Sequence, residues 1–107
     1  MKFVCDAANL SERLSRVQGI SERRITMPIL SHVLISSNHS FVTITATDLE
    51  NTLETNCSAM IQSSGKIALP SKKLFEIVRE INSGEIEIEQ LENNWVQIAS
   101  NSVNFKL

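Results

Sequence analysis

The chain has 107 residues, the length of about one domain. Its hydrophobic fraction of 42% and charged fraction of 21% are typical of a globular chain, and three glycines with two prolines exclude a collagen-like or low-complexity sequence. The formal net charge of −2, taken alone, argues against a nucleic-acid binder.

Other features bear on location and on bound groups. No apolar run approaches the roughly 18–20 residues that span a bilayer, and the N-terminal MKFVCD lacks the regions of a signal peptide. The two cysteines, Cys5 and Cys57, do not form a CxxC pair, and the two histidines give no usual metal-ligand spacing. We therefore expect a cytoplasmic chain with two free thiols, no metal site, no cofactor and no membrane partner.

The first half of the chain predicts a strand, a helix and three more strands. Residues 1–6 alternate weakly between apolar and polar and predict the first strand. A short helix is predicted next, with Asn9 and Glu12 as a capping box and Gly19 as its stop. Its apolar stripe consists of Leu10, Leu14 and Val17. Residues 21–28 break the periodicity and are predicted as a loop. Three runs of strand character follow, over 29–36, 41–48 and 52–61.

The second half repeats this order. Lys66–Pro70 is a predicted strand, Ser71 is a predicted helix cap, and Gly84 follows the end of that helix. The apolar stripe of the helix consists of Leu74, Ile77, Val78 and Ile81. Three strands are predicted after it, over 85–91, 95–99 and 102–107. The chain thus has the order strand–helix–strand–strand–strand twice, without residue identity at a fixed offset.

Two helices packed on one side of eight antiparallel strands make an α+β two-layer domain. The apolar alternation of the last strand, with Val103, Phe105 and Leu107 on one face, is unfinished at Leu107. That strand is therefore expected either to be an edge strand that lacks a partner or to come from a longer chain.

The charges are distributed unevenly between the two predicted layers. The helices and the loop after the first one hold seven basic and four acidic side chains, whereas the strands and their turns hold three basic and eight acidic ones. Lys72 and Arg79 are predicted to point away from the apolar stripe of the second helix. Such cations can approach phosphates without losing their hydration. For either helix alone a solvated surface is the better explanation. The segregation of charge between the two layers makes the two interpretations equal, so the residues leave both open.

Four short strings occur in order along this plan: MKF at 1–3, MPIL at 27–30, ATDLE at 46–50 and LPSKKLFEIVR at 69–79. Together they resemble the first domain of the bacterial sliding clamp, the β subunit of DNA polymerase III. The resemblance covers essentially all 107 residues. It implies the processivity-clamp (DNA clamp) fold, with residues 1–107 as the N-terminal domain, the first of about three in the intact subunit.

The resemblance also implies a function. In this family two subunits close head to tail into a ring around duplex DNA, with helices lining the hole and sheets outside. The expected protein is a non-enzymatic processivity factor that tethers the replicative polymerase. DNA polymerase III and the clamp loader would bind through later domains, so the 107 residues alone are expected neither to encircle DNA nor to confer processivity.

Candidate site residues follow from matching positions in the family. Arg24 matches an arginine that touches DNA, and the other candidate DNA contacts are Arg23, Lys72, Lys73 and Arg79. The candidate subunit interface consists of Phe105, Leu107, Ile77, Ile81 and Lys106. Some members carry basic residues where this chain has Ser102 and Asn104, which reduces the expected ion pairing across the ring closure.

Two other classes of function remain as alternatives. A protein-interaction module would pair strands through its C-terminal edge and have no DNA role. A small α+β enzyme would need a polar pocket and a perturbed titratable group. Asp48 and Glu50 are closely spaced carboxylates, but a turn between antiparallel strands explains them without catalysis.

Overall fold

A computed structural model describes residues 1–23, 32–47, 51–81, 83–100 and 103–107. Two helices, α1 and α2, and eight strands, β1 to β8, alternate along the chain. In chain order they are β1 Lys2–Asp6, α1 Ala7–Arg23, β2 His32–Asn38, β3 Phe41–Thr47, β4 Thr52–Ser63, β5 Lys66–Pro70, α2 Ser71–Ile81, β6 Glu85–Gln90, β7 Val96–Ser100 and β8 Val103–Lys106. The predicted order of strand, helix and three strands, twice, is confirmed.

All eight strands join one antiparallel sheet with the order β5-β2-β3-β4-β1-β6-β7-β8. The long strand β4 lies between two four-stranded halves. Its first part, from Thr52 to Ser58, pairs with β3, and its last part, from Ala59 onward, pairs with β1. Strand β8 therefore lies at one edge and β5 at the other.

Both helices pack on the same face of this sheet, as predicted. Helix α1 contacts α2 and strands β1 to β4, while α2 also contacts β2 and β5. The helices contribute a buried stripe each, which consists of Leu10, Leu14 and Val17 on α1 and Leu74, Ile77 and Val78 on α2. Alternate strand residues face these stripes, and among them Phe3, Ile44 and Ile88 are fully buried. The core is thus one layer between the helices and the sheet.

Helix α1 starts earlier and runs further than predicted. Its cap is Asp6, whose Oδ2 accepts a hydrogen bond of 3.0 Å from the backbone N–H of Asn9. The backbone N–H of Ala7, which has no acceptor within the helix, donates to the carbonyl of Gly84 at 2.9 Å. The predicted capping box at Asn9 is therefore wrong. The predicted stop at Gly19 is also wrong, because α1 continues to Arg23 and includes the first part of the predicted 21–28 loop.

The strands differ from prediction by small shifts at their ends. Strand β2 runs to Asn38, two residues beyond its predicted end, while the predicted residues 29–31 lie outside the described residues. Strand β7 starts one residue later than predicted. The β6–β7 connection is a tight turn, in which Asn93 and Asn94 have φ of 61° and 64°. Two consecutive positive φ angles suit the right-handed twist of a hairpin. The rest of the predicted loop, from 24 to 28, and the ATDLE turn at Asp48 and Glu50 lie outside the described residues.

Candidate nucleic-acid interface

Three candidate DNA contacts lie together on the outer face of α2. Lys72, Lys73 and Arg79 are exposed, whereas Leu74 and Val78 on the opposite face are fully buried. Lys72 and Arg79 are seven residues apart and so lie two turns apart on one side of the helix. None of the three cations forms an ion pair with the part of the chain that the structure describes. Their charges are therefore available to an anion in solution.

Arg79 is held in place by an aromatic neighbour one turn earlier. Its guanidinium carbon lies 5.1 Å from the centroid of the half-buried Phe75 ring, which is within cation–π range. This contact leaves the N–H groups of Arg79 free to donate to phosphate oxygens. The exposed Glu76 and Glu80 share the outer face, so α2 carries only one more basic than acidic side chain.

The outer face of α1 presents its cations differently. Glu12 forms ion pairs with Arg13 and with Arg16, the latter at 2.5 Å between Oε1 and Nη2. Arg13 also donates from Nε to the carbonyl of Asn56 on β4 at 2.9 Å. Loss of solvent around Glu12 acts to raise the pKa of its carboxyl, but the two guanidinium groups outweigh this and hold the pKa below its usual range. Both arginines are therefore already engaged with groups of this chain.

The opposite face of the sheet carries acidic side chains. On β6 the buried Ile86 and Ile88 alternate with three glutamates that face outward, Glu85, Glu87 and Glu89. Lys2 compensates for one of them, with its Nζ 3.8 Å from Oε1 of Glu87. Unpaired cations on the helix side and glutamates on the outer sheet face match the charge separation expected from the sequence.

The candidate subunit-interface residues lie at the β8 edge and on the inner side of α2. Phe105 is opposite the buried Ile98, so its side chain faces the helix layer. Phe105, Leu107 and Ile81 are half-buried and pack against the core, while Lys106 is exposed. Ile77 is only 9% exposed, which leaves little of it for another subunit.

The remaining candidates can be placed only in part. Arg23 is the last residue of α1, and Arg24 and Ser102 lie outside the described residues. Asn104 is exposed and accepts a hydrogen bond of 3.0 Å from the side-chain amide of Gln97. The sequence analysis did not predict that Glu12 pairs with Arg13 and Arg16, although the four-residue spacing of Glu12 and Arg16 indicates such a pair. No sequence signal marks the bond between Arg13 and Asn56.

The described part of the chain contains no group of three or more His, Cys, Asp or Glu side chains that could hold a metal ion. Leu91, Glu92, Trp95 and Lys106 line a cavity of about 590 Å³ beside strand β8. Among the described residues, no helix has the length and apolar character that crossing a membrane requires.

The model of the family "DNA polymerase III beta subunit, N-terminal domain" matches residues 1–107. The chain belongs to this family. The resemblance to sliding clamps that the four strings indicate is thus confirmed.

Individual relatives agree with the family assignment. A beta sliding clamp of Chlamydia pneumoniae is 34% identical over 109 residues, an alignment that covers all of this chain and 29% of the relative. The crystal structure of the DNA polymerase sliding clamp from Caulobacter crescentus superposes with a TM-score of 0.92 at 31% identity, over 99% of this chain and 29% of that one. The beta subunit from the DNA polymerase of Streptococcus pyogenes gives a TM-score of 0.93 at 20% identity, over 100% and 29% of the two chains, which supports the fold alone. The chain spans less than a third of the length of these relatives.

Proposed function

We propose that this clamp domain is the N-terminal domain of a sliding clamp subunit, a non-catalytic, cytoplasmic processivity factor of DNA replication. The subunit would have about three such domains and close head to tail with a second copy around duplex DNA. The observation that carries the proposal is the family match over all 107 residues. The exposed, unpaired cations of α2, on the side of the molecule away from the acidic sheet face, support it.

The proposed DNA contacts are electrostatic and carry no sequence information. Lys72, Lys73 and Arg79, together with Arg23 and Arg24, would attract phosphates from the helix side of the domain. Contacts of this kind tolerate movement along the duplex, because each phosphate offers the same charge at a regular spacing. A ring held on DNA by its closed shape needs only such weak contacts to slide, and the polymerase and the clamp loader would bind to domains that this chain does not include.

The proposed subunit interface is the β8 edge with the adjoining inner side of α2. An edge strand presents unpaired backbone N–H and C=O groups, which a strand of a second subunit can pair with. Phe105, Leu107 and Ile81 would add apolar area, whereas Ile77 would add little because the core of this domain already buries it. Lys106 would contribute a charge at the exposed margin.

Titration of the 107-residue chain with duplex DNA tests the phosphate contacts. We expect a dissociation constant in the range of about 10⁻⁴ M or weaker, rising steeply with salt. Replacing Lys72, Lys73 and Arg79 with glutamine should reduce binding further. The matched control is Lys66→Gln, an exposed lysine on the far strand β5. Equal losses in the two variants would contradict the proposed helix-side interface.

Loading of the complete subunit onto circular DNA tests the ring. We expect Arg24→Ala combined with Lys72→Ala to reduce loading, and Leu107→Asp to shift the subunit from dimer to monomer in sedimentation. Unchanged loading and an unchanged dimer would refute the assigned contacts. The alternative, a protein-interaction module, would be favoured instead if the affinity of the chain for DNA did not depend on salt and if strand β8 paired with a strand of another protein.

A further inference from the structure

Arg79 lies on α2 between two residues that can each hold its side chain. With about 3.6 residues per turn, Phe75 is about 40° to one side of Arg79 around the helix axis, and Glu76 is about 60° to the other side. Residues three and four apart on a helix are close enough to interact, so both reach Arg79. An aromatic ring and a carboxylate therefore compete for one guanidinium group.

The structure shows the guanidinium on the ring and not on the carboxylate. The guanidinium carbon of Arg79 lies over the Phe75 ring, 5.1 Å from its centroid, and Arg79 forms no ion pair with any residue that the structure describes. Phe75 is half-buried and packs against the core, whereas Glu76 is exposed. An ion pair with an exposed glutamate must order two mobile side chains. The ring is already ordered by packing, so contact with it orders only Arg79.

We propose that Phe75 is a positioning residue for the phosphate contact of Arg79, because its ring keeps the guanidinium away from Glu76. This inference rests on the proposed DNA interface. The N–H donors of a guanidinium lie in its plane, so a ring against its face leaves them available to phosphate oxygens. A carboxylate would instead occupy those donors and neutralise the charge that attracts the phosphate.

The position of the ring determines how far the cationic face of α2 extends. Arg79 and Lys72 lie about 20° apart around the helix axis and about 10 Å apart along it. If Arg79 turned towards Glu76, a phosphate near the last turn of α2 would meet an ion pair instead of a free cation. The ring thus extends the cationic face from the first turn, where Lys72 and Lys73 lie, to the last turn, where Arg79 lies.

Anisotropy titrations of the chain with duplex DNA at low salt test the role of the ring. Phe75→Leu keeps an apolar side chain against the core but removes the ring, and we expect DNA affinity to fall about threefold. In a Glu76→Gln background the same substitution should change affinity by less than about 1.5-fold, since the competing carboxylate is absent.

The matched control is a Glu80→Gln background, which changes the net charge equally at a position adjacent to Arg79 that does not face it. There the loss caused by Phe75→Leu should persist, and equal losses in the two backgrounds would overturn the proposal. Phe75→Tyr keeps a ring and should bind DNA as the wild type does. A loss in Phe75→Tyr equal to that in Phe75→Leu would also overturn the proposal.

Carbon-13 NMR of the Glu76 carboxyl group separates this inference from DNA binding. Arg79→Gln should leave the Glu76 resonance in place in the wild type but shift it in Phe75→Leu, because the two side chains pair only when the ring is absent. A shift of the same size in both would show that Arg79 pairs with Glu76 despite the ring, and no shift in either would show that Glu76 does not compete. Both results would overturn the proposal at any DNA affinity. If the resonance behaves as expected while Arg79→Gln leaves DNA affinity unchanged, the phosphate contact of Arg79 is refuted instead.

Discussion

Helices α1 and α2 have equivalent places in the repeated order of elements, but they present their cations differently. On α1, Arg13 and Arg16 share Glu12, and Arg13 also bonds to β4. On α2, Lys72 and Lys73 form no ion pair with any described residue. Counting basic residues in the sequence treats the helices alike, whereas among the helix side chains that the structure describes, only those of α2 offer a phosphate unpaired charges. The number of cations on a face is therefore a poor measure of its affinity for anions.

The order of the charges along each helix explains this difference. Glu12 is four residues before Arg16, which is the favourable direction for an ion pair on a helix. On α2 the order is reversed, since Lys72 is four residues before Glu76, and no ion pair forms between them. The weaker reverse spacing leaves the lysines of α2 solvated.

The largest expected effect concerns the buried faces, where the helices are equivalent. Leu14→Ala on α1 and Leu74→Ala on α2 each remove a fully buried side chain, and each should lower the free energy of unfolding by about 2–5 kcal/mol. Urea denaturation of both variants measures this. A loss below about 1 kcal/mol in one variant alone would show that its helix is peripheral to the core.

The next largest effect is on DNA affinity, and it differs between the outer faces of α1 and α2. Lys72→Gln with Lys73→Gln should weaken binding to duplex DNA by about tenfold at low salt and reduce the salt slope by about two. Arg13→Gln with Arg16→Gln should change it by less than about twofold, since those charges are already neutralised. Fluorescence anisotropy at several salt concentrations measures both. A larger loss of affinity in the double variant of α1 than in that of α2 would contradict the conclusion that α2 carries the available cations.

A smaller effect is expected when the shared carboxylate is removed. Glu12→Gln leaves Arg13 and Arg16 without their anion, so α1 should gain affinity for DNA and the salt slope should become steeper by about one to two. The same anisotropy titration measures this gain, with Glu80→Gln on α2 as the matched control. If Glu12→Gln bound DNA no better than Glu80→Gln, the ion pairs of α1 would not restrict its cations.

The smallest effect is a pH dependence of stability. The pKa of Glu12 is lower in the folded chain than in the unfolded chain, so its ion pairs stabilise the fold above the normal glutamate range, and this contribution is lost as pH falls through the folded pKa. Urea midpoints of the wild type and Glu12→Gln should therefore differ slightly at pH 7 and converge near pH 3. A difference that grows on acidification would contradict the sign of this shift.

Local patterns in the sequence are enough to predict most of the helices and strands. Alternation in segments such as the one around Ile86 and Ile88 marks strands that are buried on one side, and the stripe around Leu74 marks a helix, because each periodicity is set within a few residues. The limits of α1 could not be predicted in the same way. Asp6 ends a strand and caps the helix at once, and the helix continues through Gly19 at a cost of about 1 kcal/mol that packing elsewhere can offset.

The candidate site was predictable only where it depends on one helix. The exposed positions of Lys72 and Arg79 follow from the apolar stripe of α2, but the bond from Arg13 to the carbonyl of Asn56 joins groups 43 residues apart and has no local pattern. The placement of Cys5 opposite Ala59 likewise depends on how β1 and β4 align. Contacts across strands are set by register, which a single sequence does not specify.

The dual pairing of β4 has a mechanical consequence. Because this strand belongs to both halves of the sheet, the halves cannot slide past one another without breaking its hydrogen bonds to β3 or to β1. Any change in the angle between them must instead come from bending β4 where Ser58 gives way to Ala59. Torsion of a few backbone bonds at that point would therefore set the curvature of whatever larger assembly is built from this domain.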